Sequence, residues 1–284
     1  MLVSDTLYPH PLSVTPRWLI GMVVLAGCLL APRAPAQGFD VNSFTAFTDM
    51  RVGTGEPVYW YCVGTVYSYP EGKALMRMEG IDTAKRWRDP AEPAVVKQLS
   101  RKTFFYRDLT SDAVLNAFNG SPLAPIEYPY QFITYALHGD RVQTLVEQGR
   151  APRLQKIGPG DGIQSRRVRG GFVFTAPLFL DFPLPDGKRY QAFENYDFFV
   201  ASGTAVDPAT HRLSWLRFGD LPGAGQTVMH LVSWRVDRYA DLPAPMRRYL
   251  ESQAPLWIKP PADIAEIRAL QAPLPAPASG AARP

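Results

Sequence analysis

Charged side chains interrupt several strand-like apolar stretches, and these residues have the clearest chemical potential. Alternate residues from Tyr190 to Val200 form one face of a strand, on which Glu194 is the only charge and Tyr196 its next neighbour. A carboxyl group buried among aromatic side chains has a raised pKa and suits general acid–base catalysis. We therefore take Glu194 as the leading candidate acid or base. The alternative is a structural ion pair with an arginine.

A second carboxylate and an arginine show the same pattern. Glu79 shares a strand face with Ile81, and Arg101 shares one with Phe105. Glu79 is a candidate second proton-transfer group, and Arg101 is expected to hold a polar substituent of a ligand. In the structural alternative, Arg101 pairs with Glu79 or with Glu194, because a buried charge needs a partner.

His230 lies between valines on an apolar face, and Trp234 follows on that face. Histidine exchanges a proton near neutral pH, so His230 is the other candidate for proton transfer; the alternative is a histidine satisfied within the core. A metal site would require His138, His211 and His230 to converge from distant segments. We therefore predict no metal.

The elements that position these residues are mostly strands. Turn signals such as Asp186-Gly187 and Leu221-Pro222-Gly223 separate stretches rich in β-branched and aromatic residues. Strands are predicted at Val58–Tyr69, Ala74–Thr83, Val95–Arg107, Tyr130–Leu137, Arg141–Glu147, Val168–Phe182, Tyr190–Ala201, Leu213–Phe218 and Gln226–Val236. Helices are predicted at Val41–Arg51, Pro245–Ala254 and Asp263–Leu270. This order predicts a mainly β, antiparallel fold that is barrel-like, with a β-sandwich as the alternative and with helices near both ends.

The first predicted strand is apolar on both faces. Trp60 and Cys62 point one way, whereas Tyr59 and Tyr61 point the other. A closed barrel with helices or loops packed outside would cover both faces, and its interior could hold a small molecule. Tyr59, Trp60, Tyr196 and Trp234 are expected to line that pocket, and Cys62 is expected to be a small buried residue.

Composition and absent motifs exclude several classes of function. A formal net charge of +4 is too weak an excess to indicate nucleic acid as a partner. The chain has no Gly-rich phosphate loop, His-Glu-x-x-His motif, Cys-x-x-Cys pair or Gly-x-Ser-x-Gly elbow. We expect no bound organic cofactor.

The N-terminus has the layout of an export signal. Arg17 precedes the apolar run Trp18–Ala31, and Ala34-Pro35-Ala36 follows with small residues at the cleavage positions. The alternative is a lipoprotein signal ending before Cys28, which would anchor the chain to a membrane by acylation of that cysteine. Either signal predicts a periplasmic or secreted protein. The domains expected are a signal peptide at 1–36, a single β-rich domain at 37–262, and a short helix with a flexible Pro/Ala-rich tail at 263–284.

Several short motifs, in this order, resemble a bacterial family known as domain of unknown function 1838. They are VYWY at 58–61, GTVY at 64–67, MEGI at 78–81, ENYDFF at 194–199 and GDLPG at 219–223. The resemblance spans residues 44–261 and implies one exported domain with no established reaction. This chain differs from the family at 128–135 (YPYQFITY), which lacks the His, Asn and Asp that the family tends to have there.

These observations predict an exported protein that encloses an apolar or aromatic small molecule. The leading interpretation is a cofactor-independent isomerase, dehydratase or lyase, with Glu194, Glu79 and His230 as catalytic residues. The alternatives are a binding protein without catalysis and a structural envelope protein whose barrel is filled by side chains. A packed interior would favour the last of these.

Overall fold

The computed structural model describes residues 38–87, 91–92, 95–150, 153–157, 162–168, 170–183, 187, 189–201 and 210–271. The predicted signal peptide with Cys28, and the predicted tail from residue 272, lie outside these residues. Within the described ranges, no helix has both the length and the apolar character needed to cross a membrane.

Strands dominate the described chain. They are β1 (Val58–Ser68), β2 (Ala74–Trp87), β3 (Val95–Arg107), β4 (Val114–Leu115), β5 (Ala117–Phe118), β6 (Ser121–Pro122), β7 (Ile126–His138), β8 (Arg141–Arg150), β9 (Arg153–Ile157), β10 (Gln164–Val168), β11 (Gly171–Pro183), β12 (Arg189–Ala201), β13 (Arg212–Leu221) and β14 (Gly225–Val236). The α-helices are α1 (Val41–Val52), α2 (Ala244–Gln253) and α3 (Ile264–Gln271). Short 3-10 helices lie at Tyr239–Asp241 and Pro255–Ile258.

The long strands form one antiparallel sheet that curls into a nearly closed barrel. Its order is β10-β11-β12-β13-β14-β1-β2-β3-β7-β8-β9. Val142 of β8 forms an isolated bridge with Ile163, which immediately precedes β10, so the two ends of the sheet meet. The prediction of an antiparallel barrel is confirmed.

Helix α1 packs inside the barrel, a position that the sequence patterns did not indicate. Asp40 caps the helix, because its carboxylate accepts from the backbone N–H of Ser43 at 2.7 Å. The ring of Phe47 then contacts Tyr135 of β7 and Phe174 and Phe198 of β11 and β12 at centroid separations of 5.3–5.5 Å. Because these strands come from opposite parts of the sheet, α1 closes one end of the barrel.

The outer face of the sheet is covered where it is apolar. Tyr59, Ile81 and Phe105 from β1, β2 and β3 form a cluster with the buried Met246 and Leu250 of α2. This arrangement is the helix-covered barrel that the two apolar faces of β1 predicted.

Candidate functional site

A cavity of about 190 Å³, partly open to solvent, lies inside the barrel. Phe47 and Arg51 of α1 contribute to its wall, so the helix forms its floor. On β11, Phe174 packs on Phe47, and Leu178 and Leu180 continue along the same face into the cavity wall. Both leucines are only half-buried, so β11 runs from the floor towards the opening.

Much of the cavity wall is aromatic or aliphatic. Trp60, Phe104, Phe198 and Trp215 contribute rings from four different strands. Gly80 makes room for one of them, since a Cβ at this position would come within 2.2 Å of the Phe104 ring. The Phe104 ring then lies 5.5 Å from that of Trp215. The wall can therefore enclose an apolar body.

Glu194 reaches the cavity from β12 and is 8% exposed. Its Oε2 accepts hydrogen bonds from Tyr196 Oη at 2.6 Å and from Trp215 Nε1 at 3.2 Å. Its Oε1 lies 3.7 Å from Nε of Arg217, which is its neighbour across the β12–β13 ladder. Both oxygens thus have polar neighbours, but the ion pair is loose.

Burial raises the pKa of Glu194 above its ordinary value of 4.5. The hydrogen bonds from Tyr196 and Trp215 and the charge of Lys102 oppose this effect without cancelling it. The same environment raises the pKa of Tyr196, because burial and the adjacent Glu194 both disfavour the phenolate. Glu194 is therefore a carboxyl group suited to proton exchange nearer neutral pH than an exposed glutamate.

A second charged group lies at the floor. Arg51 Nη2 donates to Asp82 Oδ2 at 2.6 Å, and both side chains are 7% exposed. Lys102 Nζ lies 3.7 Å from the same Oδ2 and 5.8 Å from the centroid of the Tyr196 ring. Two cations therefore share one carboxylate, and Lys102 lies between it and the Glu194 region.

Some polar atoms of the cavity wall lack a hydrogen-bond partner within the described structure. They are Arg51 Nη1, Asp82 Oδ1, Gln131 Oε1 and Thr144 Oγ1. A buried polar group without a partner costs free energy. These buried atoms therefore make part of the wall polar, in contrast to its aromatic part.

Two small polar side chains of the wall, Ser233 and Cys62, are paired with each other. Ser233 Oγ donates to Cys62 Sγ at 2.8 Å, and burial raises the pKa of the Cys62 thiol to about 12. Such a thiol remains protonated at neutral pH, which is unsuitable for a nucleophile. Cys62 is thus the small buried residue that the sequence suggested.

Three of the eight candidate residues named from the sequence line the cavity. They are Glu194, Tyr196 and Trp60. Trp60 also donates from Nε1 to the carbonyl of Arg51 at 3.1 Å, which ties β1 to the end of α1.

Glu79 and Arg101 face the outside of the barrel, so their predicted roles at the pocket are corrected. Glu79 pairs with Arg107 of β3 and accepts from Tyr61 Oη at 2.8 Å. Arg101 pairs with Glu266 of α3 and donates to two backbone carbonyls. Neither predicted pair, Arg101–Glu79 or Arg101–Glu194, is formed.

His230, Tyr59 and Trp234 also lie on the outer face. His230 is exposed, with Nε2 3.1 Å from Ser214 Oγ. Tyr59 packs in the cluster under α2, and Trp234 stacks on Tyr61 at 6.5 Å. The structure therefore does not bring His230 or Glu79 to Glu194.

The sequence patterns missed the charged residues Arg51, Asp82, Lys102 and Arg217. Alternation does place Asp82 on the face of β2 opposite to Glu79, but both faces of that strand are rich in apolar residues. The decisive signal is the register, in which Asp82 faces Trp60 on one side and Lys102 on the other. Register is a property of strand pairing, which one sequence does not reveal.

Among the described residues, no group of three or more His, Cys, Asp or Glu side chains is arranged to hold a metal ion. The polar wall is instead a mixture of cations, carboxylates, amides and hydroxyls. This donor set fits an organic molecule that carries polar substituents.

Comparisons with known proteins give little guidance. No protein-family model matches the chain, and no curated protein is similar to it. Among solved structures, the chain is similar to the S-type phycobiliprotein lyase CPES from Guillardia theta, with a TM-score of 0.32 and 8% identity. The match covers 70% of this chain and 98% of the lyase. With such low similarity, the geometry of the cavity must carry any functional conclusion.

Proposed function

We propose that this protein binds a small molecule with an apolar or aromatic body inside its barrel. The cavity of about 190 Å³, walled by aromatic rings and a few polar groups, carries this proposal. An apolar cavity of about 150 Å³ accepts benzene, so this one suits a substituted ring, and longer substituents would project through the opening. An unfilled interior of this kind argues against a structural barrel packed by its own side chains.

Native mass spectrometry of the protein purified from its own cells tests the proposal. A bound aromatic or other apolar compound should give a complex heavier than the bare chain and should be released on mild denaturation. A bare mass would exclude tight carriage, and binding would then be tested by calorimetric titration with trans-cinnamamide, a neutral ring with a short chain.

A cavity-blocking substitution shows where such a probe binds. Ala176 lines the cavity on β11, whereas Ala136 of β7 lies on the opposite, outer face of the sheet. We expect Ala176→Phe to weaken trans-cinnamamide binding at least tenfold, because the new ring occupies the cavity, and we expect Ala136→Phe to leave binding unchanged. Equal binding by both variants in calorimetry, or no binding by the wild-type protein, would contradict the proposed site.

A second candidate function is proton transfer without an organic cofactor, as in an isomerase, dehydratase or lyase. The burial of Glu194 at the cavity, with its raised pKa, supports this candidate. The other two predicted catalytic groups lie outside the barrel, so Glu194 would act with Tyr196, whose Oη donates to it at 2.6 Å, as its nearest polar neighbour. Once a ligand is known, Glu194→Gln should retain binding and abolish turnover. Unchanged turnover in the variant would exclude Glu194 as the acid or base, and no turnover by the wild-type protein would leave a binding protein.

We also propose that the protein works outside the cytoplasm and belongs with the family called domain of unknown function 1838. The apolar run with its small-residue cleavage site supports export. The intact mass of the purified protein would distinguish a start at Gln37 from an acylated Cys28, and a mass that retains residues 1–36 would overturn export.

A further inference from the structure

We propose that the ligand of this cavity carries one anionic group, of the carboxylate type, and that Lys102 binds it at the barrel floor, beside the Arg51–Asp82 pair. This inference rests on the proposed binding function and names the ligand class. At the floor, Arg51 and Lys102 lie beside a single described carboxylate, Asp82. Among the described residues, this part of the wall therefore has one more cation than carboxylates.

The positive excess is localised at the floor. Asp82 already accepts from Arg51 Nη2 at 2.6 Å, and Lys102 Nζ is 3.7 Å from the same oxygen, beyond hydrogen-bond length. The Asp82 carboxylate therefore lies near two cations but forms a hydrogen bond only with Arg51. A buried ammonium or guanidinium group is costly without a full partner, so a second anion at this point would relieve the imbalance.

Arg51 strengthens the positive potential at the same point. The residue is 6% exposed, and its Nη2 already donates to Asp82. A carboxylate of the ligand would therefore pair with Lys102, and charge-assisted bonds of this kind are the strong ones.

The charge of Lys102 lowers the pKa of Glu194, but Glu194 does not accept a hydrogen bond from Lys102. Its two oxygens are directed to Tyr196, Trp215 and Arg217. Burial also favours its neutral form, which would enlarge the positive excess. A cationic ligand would be repelled by three cations of the wall, whereas an anionic one would meet Lys102, whose side chain is 14% exposed.

Calorimetric titration with trans-cinnamate and trans-cinnamamide at pH 7 tests the inference. The two probes share the ring and chain and differ in the charge of the terminal group. We expect the wild-type protein to bind the acid about tenfold more tightly than the amide. In Lys102→Met the acid and the amide should bind equally, because the group that distinguishes their charges has been removed.

Lys73→Met is the matched control. Lys73 is exposed near the β1–β2 turn, so its substitution removes the same charge from the chain without touching the cavity. It should keep the wild-type preference for the acid. Equal binding of acid and amide by the wild-type protein, or a preference that survives in Lys102→Met, would overturn the anion site while leaving the binding function standing. If neither probe binds, both proposals fail.

Discussion

Glu194 combines two roles at the scale of a single residue. It accepts hydrogen bonds from Tyr196 and Trp215, which orders the cavity wall, and it keeps a carboxyl group in a place that disfavours charge. Such a residue lowers the stability of the folded protein wherever the pH forces it to ionise. A buried carboxyl group with this cost in stability is more typical of a functional site than of a purely structural position.

The pH dependence of stability should reveal this cost. The folded protein keeps a proton on Glu194 at pH values where the unfolded chain has lost its own. The unfolding free energy should therefore fall as pH rises from the ordinary value of 4.5 through the raised folded pKa, by about 1.4 kcal/mol for each pKa unit of the shift. In Glu194→Gln this loss should be absent, because glutamine still accepts from Tyr196 and Trp215 but carries no charge.

Urea denaturation of both proteins between pH 4 and 8 measures the difference. The unfolding free energy of Glu194→Gln should rise relative to that of the wild-type protein as pH rises. Glu71→Gln, at an exposed turn, should show the same pH dependence of unfolding free energy as the wild-type protein. A constant gap between Glu194→Gln and the wild-type protein across this range would show that the carboxyl group titrates normally.

Among the elements, α1 links the core to the site. Phe47 holds β7, β11 and β12 together at the closed end, and Arg51, one turn later, carries its charge to the floor of the cavity. The helix therefore both completes the barrel core and forms part of the binding wall. A change in its packing should affect stability and ligand binding together.

Phe47→Ala should lower the unfolding free energy by about 3–5 kcal/mol, because it removes a fully buried ring and leaves a void. Phe47 is 1% exposed, whereas Phe179 on β11 is 71% exposed. Phe179→Ala should therefore change stability by about 0.5 kcal/mol or less. Chemical denaturation of the two variants provides the comparison, and similar losses for both would mean that α1 is not packed in the barrel as described.

The position of α1 also shows where sequence patterns reach their limit. The spacing of Phe44, Phe47 and Met50 predicted the helix, and the alternation of Val58–Tyr69 predicted its neighbouring strand. Neither pattern states whether a helix covers a barrel from outside or closes it from within. The position of the helix depends on contacts between residues far apart in the sequence, such as that between Phe47 and Phe198.

For the whole molecule, the barrel separates two kinds of buried charge. Those on the inner face, such as Glu194 and Asp82, line the cavity; those on the outer face, such as Glu79 and Arg101, attach strands to each other and to α3. Sequence alternation shows that two charges on one strand share or oppose a face. It does not show which face is inside, and for that reason Glu79 and Arg101 were assigned to the wrong side.

Arg101→Met should separate stability from binding. Arg101 is 4% exposed, donates to the carbonyls of Pro129 and Lys259 and pairs with Glu266, so its loss should lower the unfolding free energy by about 2 kcal/mol or more. Binding of trans-cinnamamide should stay within about twofold of wild type, since no atom of Arg101 lines the cavity. Arg248→Met, at an exposed position of α2, should change neither quantity. The contradicting result is an Arg101→Met protein that binds trans-cinnamamide ten times more weakly but has wild-type stability in denaturation. The outer face would then belong to the binding site, and the division between a binding interior and a structural exterior would be wrong.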